Sequence, residues 1–176
     1  VLCTASSCLP ANDDEGSSDG VAECADEPEF VSLIDHAAWE YAPAEEDPLV
    51  DHRPAMVECG VAGWYVLDQE LEVDTNFCNY AAIRQPILEP IAACSTLELA
   101  FYHFDLTAPE PAEAHAAILI DGQIVWEQMI EIPGPAAVYE DKFAAPFAAP
   151  AGSEVMLHLH NHGQNTWALL ELEVGT

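Results

Sequence analysis

The sequence predicts an all-β protein, a Greek-key or jelly-roll β-sandwich with an extended N-terminal arm. Three observations carry this expectation. Short apolar runs alternate with polar residues at a period of two, the mark of half-buried strands. The pair Asp121–Gly122 separates two such runs, and Asp-Gly supplies the positive φ angles of a two-residue hairpin turn. Prolines at 86, 90, 109, 111, 133, 135, 146 and 150 fall between the runs, where a missing N–H breaks no ladder. No helix of convincing length or period is found, and no internal repeat.

Taken in order, residues 1–30 differ from the rest. "ANDDEGSSDG" and "AECADEPE" are acidic, rich in small residues and short of core formers, so they read as a tether. Ahead of them "VLCTASSCL" is apolar, and Val1, Leu2, Cys3, Cys8 and Leu9 read as an adhesive arm. The sandwich is expected over 31–176, beginning within "FVSLIDHAAWEYAP". "AEEDPLVDHRP" is a second acidic, loop-like stretch. Strands are then expected in "GWYVL", "LEVDT", "TLELAFYHFDL", "AHAAILIDGQIVWEQMIEI", "SEVMLHLHNH" and "TWALLELEV". In the third of these, Leu97, Leu99, Phe101 and His103 share one face, while Glu98, Ala100 and Tyr102 share the other.

The charge is extreme. Asp and Glu number 32 against three cations, Arg53, Arg84 and Lys142, for a net charge of −29. Such a surface repels phosphate, which makes nucleic acid and anionic membranes poor partners. Cations, basic surfaces or copies of the chain in screening salt remain, and a saline medium would suit it. No stretch is apolar for long enough to span a membrane. The six cysteines, Cys3, Cys8, Cys24, Cys59, Cys78 and Cys94, include no CxxC pair. That pattern favours disulfides over zinc or redox chemistry, and hence an extracellular or cell-surface location. Cys59 with Cys78 is the preferred pair, because both flank a predicted hairpin. A chain beginning at Val1 suggests a processed N-terminus. "VLCTASSC" is similar to the end of a bacterial lipoprotein signal, but lipidation at Cys8 would have removed residues 1–7, so plain secretion is expected.

Several residues are candidates for chemistry. In a strand, His158 and His160 project from one face with Cα atoms roughly 7 Å apart. Two imidazoles so placed can share a metal, with His103 on another strand as a third ligand and His162 as a fourth. The competing reading has these histidines bonded to loop carbonyls or buried singly, and it is the more economical. Asp74 and Asn76, with Asn79, offer oxygen ligands for calcium; the competing reading is a solvated acidic loop. Among the aromatic residues, Trp39 and Tyr41 beside a loop are the candidates for stacking on a glycan, whereas Trp126 reads as core. No nucleophile elbow, Ser–His–Asp pattern or phosphate-cradling loop is recognisable, so no catalysis is expected.

"PILEPIAACSTLELAFYHFDL" and "PAGSEVMLHLHNHGQNTWALLELEV" resemble the strand pattern of secreted β-sandwich modules. The second is similar in its His-bearing strand to the cupredoxins, and in its closing "NTWALLELE" to carbohydrate-binding jelly rolls. A blue-copper site would need a cysteine near the last histidine, and none follows Cys94. The glutamate that follows the HxH pair of cupins is replaced by Gln164 and Asn165. The resemblance therefore implies architecture alone. Two functions follow from the residues. The first is an extracellular structural subunit that assembles with its own copies, as a filament or surface layer, by strand addition and disulfides through the arm. The alternative is a monomeric secreted module that binds a glycan or a metal, its cofactor being a divalent cation if there is one.

Overall fold

A strand that alternates apolar and polar residues buries one face and leaves the other to water, and two such sheets cover each other. The computed structural model describes residues 28–161 and 163–176, and these form two antiparallel sheets. The first sheet runs β3 (Trp64–Leu67), β4 (Glu70–Asp74), β11 (Thr166–Gly175), β6 (Thr96–His103) and β9 (Ala137–Ala144), with β1 (Phe30–Ser32) added beside the end of β11. The second runs β2 (Glu40–Tyr41), β5 (Tyr80–Pro86), β10 (Glu154–His160), β7 (Ala112–Ile120) and β8 (Gln123–Ile132). Strands β4 to β11 thus form the four-strand layers β4-β11-β6-β9 and β5-β10-β7-β8, the order of a jelly roll.

The core follows the predicted parity. Leu97, Leu99, Phe101 and His103 are buried on β6, while Glu98, Ala100 and Tyr102 are half-buried on its other face. On β11 the parity changes part-way. Trp167 and Leu169 face the core, then a bulge between Leu169 and Glu171 shifts the register, and Leu172 and Val174 take over. One extra residue lets both halves of a ten-residue strand bury apolar side chains. The Asp121–Gly122 hairpin forms between β7 and β8 with φ of 46° and 73°. Its Asp121 carboxylate accepts bonds from Ser153 Oγ (2.8 Å) and Glu154 N (3.0 Å), tying the turn to β10.

In the second sheet β5, β10 and most of β7 are buried on both faces, while β8 is largely exposed on its outer side. On the sheet's outer side Tyr80, Ala82, Ala117, Leu119 and Met156 pack with Ala42 beneath Leu49 and Val57, residues of the segment that follows β2. That segment contains two 3-10 turns, Ala44–Glu46 and Val50–His52. It is held by Asp47, whose buried carboxylate accepts from the Tyr80 hydroxyl, from Leu49 N (3.0 Å) and from Arg53 Nη1 (3.3 Å). Burial and that carboxylate together push the Tyr80 phenol pKa up. Such a clasp is satisfied only as a whole; removing one partner leaves a buried charge unpaired.

The Cys59–Cys78 disulfide forms as expected, with Cα atoms 3.9 Å apart. It closes a loop of sequence separation 19, for which loop-closure entropy suggests about 3 kcal/mol of stabilisation. Cys94 is also disulfide-bonded. The expected arm residues Val1, Leu2, Cys3, Cys8 and Leu9, together with Cys24, lie outside the described residues, as does His162.

Candidate functional site

The two sheets do not close on each other everywhere. Where β2 edges one sheet and β3 edges the other, a cleft of about 950 Å³ opens into the sandwich. Trp64 and Val66 lie opposite the buried Val73 and Leu71 in the register of β3 and β4, so they point toward the core side of an edge strand. The facing wall is the stretch that crosses from β1 to β2 and carries His36 and Trp39. The rim is polar, with Asp68, Gln69 and Glu70 at the β3–β4 turn.

Local bonding fixes this wall. Asp35 N donates to Gln85 Oε1 (2.8 Å), and Ala37 N donates to the Asp35 carboxylate (2.9 Å), which turns the chain. His36 Nε2 donates to the carbonyl of Leu170 (3.0 Å), the residue at the β11 bulge. The bulge therefore also anchors the cleft. Opposite it, Asp68 and Gln69 both adopt positive φ, 49° and 68°, in a two-residue turn without glycine.

The predicted surface role of Trp39 needs correction. It is only 7% exposed and belongs to the core, with its indole forming the floor of the cleft. Its neighbour Glu40 takes the outward position and pairs with Arg84 (3.1 Å), which sends Trp39 inward. Tyr41 is half-buried, donates its hydroxyl to the Tyr80 carbonyl (3.2 Å), and lines an adjoining depression with Arg53 and Trp64. Trp64 is half-buried at the cleft and is the more accessible of the two indoles. Trp126 is core, as expected, and donates to Asp141 (2.7 Å).

A second constellation lies on the outer face of the other sheet. His158 on β10 and His115 on β7 project from that face, and His52 descends on them from the Val50–His52 turn. His115 Nδ1 stands 3.1 Å from His158 Nε2, and the His52 ring stacks on His115 with centroids 4.3 Å apart. One nitrogen from each of the three rings lies within 4.8 Å of the other two. His115 Nε2 donates to the Glu127 carboxylate (2.7 Å). His158 is fully buried, and its Nδ1 has no hydrogen-bond partner among the described residues. Burial, reinforced by the neighbouring His115, His52 and His160, pushes the His158 pKa down to about 3, so the ring is neutral.

The structure regroups the predicted metal ligands. His158 and His160 do share a face, as their spacing requires, but His160 packs beside the Tyr80 ring (5.8 Å) outside the trio. His103 belongs to the other sheet. It lies in the core beside Trp167 (4.6 Å), donates from Nδ1 to the Phe104 carbonyl (2.8 Å), and does not join His158. The parity that gives β6 its apolar face points His103 inward, while Val155, Leu157 and Leu159 take the core side of β10 and turn His158 outward. His52 and His115 were missed. The signal for His115 was a bulky polar residue among Ala114, Ala116 and Ala117; for His52 there was none.

The calcium candidates sit in hydrogen-bonded turns. Asp74 Oδ1 accepts from Asn76 N (2.9 Å) and Asn76 Nδ2 (2.7 Å) in a local turn. Asn79 faces the 56–58 segment, accepting from Glu58 N (2.8 Å) and donating to the Met56 carbonyl (3.0 Å). Asp74 and Asn76 thus bond each other within one turn, and Asn79 bonds within another.

Among the described residues no helix is long and apolar enough to cross a membrane. No known family and no curated protein matches the sequence. Solved structures do resemble it. A carbohydrate-binding module of family 28, specific for non-crystalline cellulose, aligns over 96% of this chain and 100% of its own at 8% identity, with a TM-score of 0.46. The second N-terminal cellulose-binding domain of β-1,4-glucanase C from Cellulomonas fimi aligns over 86% and 95% at 12% identity, with a TM-score of 0.39. A family 35 carbohydrate-binding module from Clostridium thermocellum aligns over 68% and 85% at 15% identity, with a TM-score of 0.34.

Proposed function

We propose that this chain is a non-catalytic binding module of the oxidising, extracellular side of the cell, and that its cleft takes a neutral glycan. The observation that carries the reading is the cleft itself, about 950 Å³ of open space between two sheet edges with indoles inside and polar groups at the rim. A sugar presents apolar C–H faces and a fringe of hydroxyls that both donate and accept. Trp64 and Trp39 supply apolar surface, while Asp68, Gln69 and Glu70 supply acceptors and donors. A net charge of −29 disfavours uronates and sulfated chains. The described residues offer no observation that favours assembly through Val1–Leu9, so binding is preferred to the filament.

The test is isothermal titration of the full chain with neutral oligosaccharides and, in parallel, with uronic acid oligomers. Saturable binding of a neutral oligomer is expected, weakened about tenfold or more by Trp64→Ala, since loss of an aromatic contact costs on the order of 1–2 kcal/mol. Preference for the uronates, or indifference to Trp64→Ala, would sink the proposal.

A further inference from the structure

We infer that His52, His115 and His158 form a binding site for a borderline divalent transition-metal ion, Zn²⁺ or Cu²⁺, beneath the 43–58 segment. The argument starts from donor type. All three candidate ligands are imidazoles, which suit zinc and copper, whereas calcium and magnesium need oxygen. Spacing comes next. Two nitrogens bound to one zinc at tetrahedral angles stand roughly 3.3 Å apart. His115 Nδ1 and His158 Nε2 are 3.1 Å apart. His52, whose donor nitrogen lies within 4.8 Å of the other two, closes the set by a small shift of a single 3-10 turn.

The surroundings are those of a ligand set. The Glu127 carboxylate accepts from His115 Nε2, which keeps the proton there and turns the Nδ1 lone pair toward His158. His158 is fully buried and bonded through Nε2 to His115 Nδ1, while its Nδ1 has no hydrogen-bond partner among the described residues. Small side chains flank it across the sheet, with Ala82 and Ala117 as its neighbours in register. Without an ion, His158 Nε2 donates its proton to His115 Nδ1; an ion between the rings would take both lone pairs, the His158 proton moving to Nδ1.

The experiment uses the full chain, stripped with chelator and titrated with Zn²⁺ in high salt with excess Mg²⁺, so that general attraction of cations to the acidic surface is suppressed. Co²⁺ serves as a second, spectroscopic probe of nitrogen coordination. One equivalent of Zn²⁺ is expected to bind saturably. His52→Ala, in a partly exposed turn outside the core, is expected to weaken binding by roughly 100-fold, and Glu127→Gln by roughly 10- to 100-fold. Glu140→Gln, at an exposed position of the edge strand β9, is expected to leave the affinity unchanged. Full affinity in His52→Ala overturns the assignment, as does the absence of any saturable Zn²⁺ binding above the Mg²⁺ background. Should His158→Ala unfold, the His52 and Glu127 variants still decide the matter.

Discussion

His103 and His158 follow the same alternation rule to opposite destinations, one into the core and one beneath a covering loop. Only the first of these was legible. The apolar partners of His103 sit beside it at 97, 99 and 101, so local sequence fixes its burial. The burial of His158 depends on residues 42–58 and 115, which no local pattern connects to it. His103 has a consequence for acid stability. Its burial pushes the pKa below the ordinary 6.5, outweighing the Phe104 carbonyl, which raises it. The folded state therefore resists protonating a ring that the unfolded chain protonates readily. Its contribution to stability is fully present above the unfolded pKa and is lost as pH falls from there through the lowered folded value. Urea unfolding of His103→Gln and of the parent at pH 7 and pH 5 checks this. The gap between them is expected to narrow at pH 5; a gap that stays constant would mean the ring does not titrate differently on unfolding.

Among the elements, strands built on a pronounced apolar run were readable, and β5 and β9, which lack one, were missed. β6, β7, β8, β10 and β11 coincide with the predicted runs, and Asp121–Gly122 turns where Asp-Gly should. β5, "YAAIRQP", escaped because both its faces are covered, so small residues replace the polar half of the pattern. β9, "AVYEDKFA", escaped because its exposed edge position fills it with charge. The β3–β4 turn breaks a local rule instead. Asp68 and Gln69 hold positive φ without glycine, each at a cost of about 1 kcal/mol. Both also line the cleft. Gln69→Gly is therefore expected to raise the unfolding free energy by about 1 kcal/mol while weakening the neutral glycan. Thermal melts and titration read the two effects separately, and a glycine variant that is less stable would show the turn is unstrained.

The whole molecule is dominated by its charge. All three cations are committed within the fold: Arg84 bridges Glu40, Glu46 and Glu154, Arg53 pairs with Asp47, and Lys142 pairs with Glu98 (2.9 Å). The remaining carboxylates repel one another with counter-charge only from solution. The melting temperature is expected to rise with NaCl by several degrees between low and physiological ionic strength, as a gain of 1 kcal/mol shifts a domain of this size by roughly 2–4 °C. A melting temperature that falls with salt would mean the ion pairs outweigh the repulsion. At this scale the fold class was readable from pattern and composition, whereas the cleft was not, because it depends on which edges fail to meet.

The pairing of β1 with β11 brings the two ends of the described sandwich together. Phe30 lies opposite Gly175, and Thr176 N donates to the Glu29 carbonyl (2.9 Å). Mechanically, a load applied across these ends would not shear the sheet. It would peel β1 away one bond at a time from the Phe30 end, so tension reaches three residue pairs before it is felt by the jelly roll.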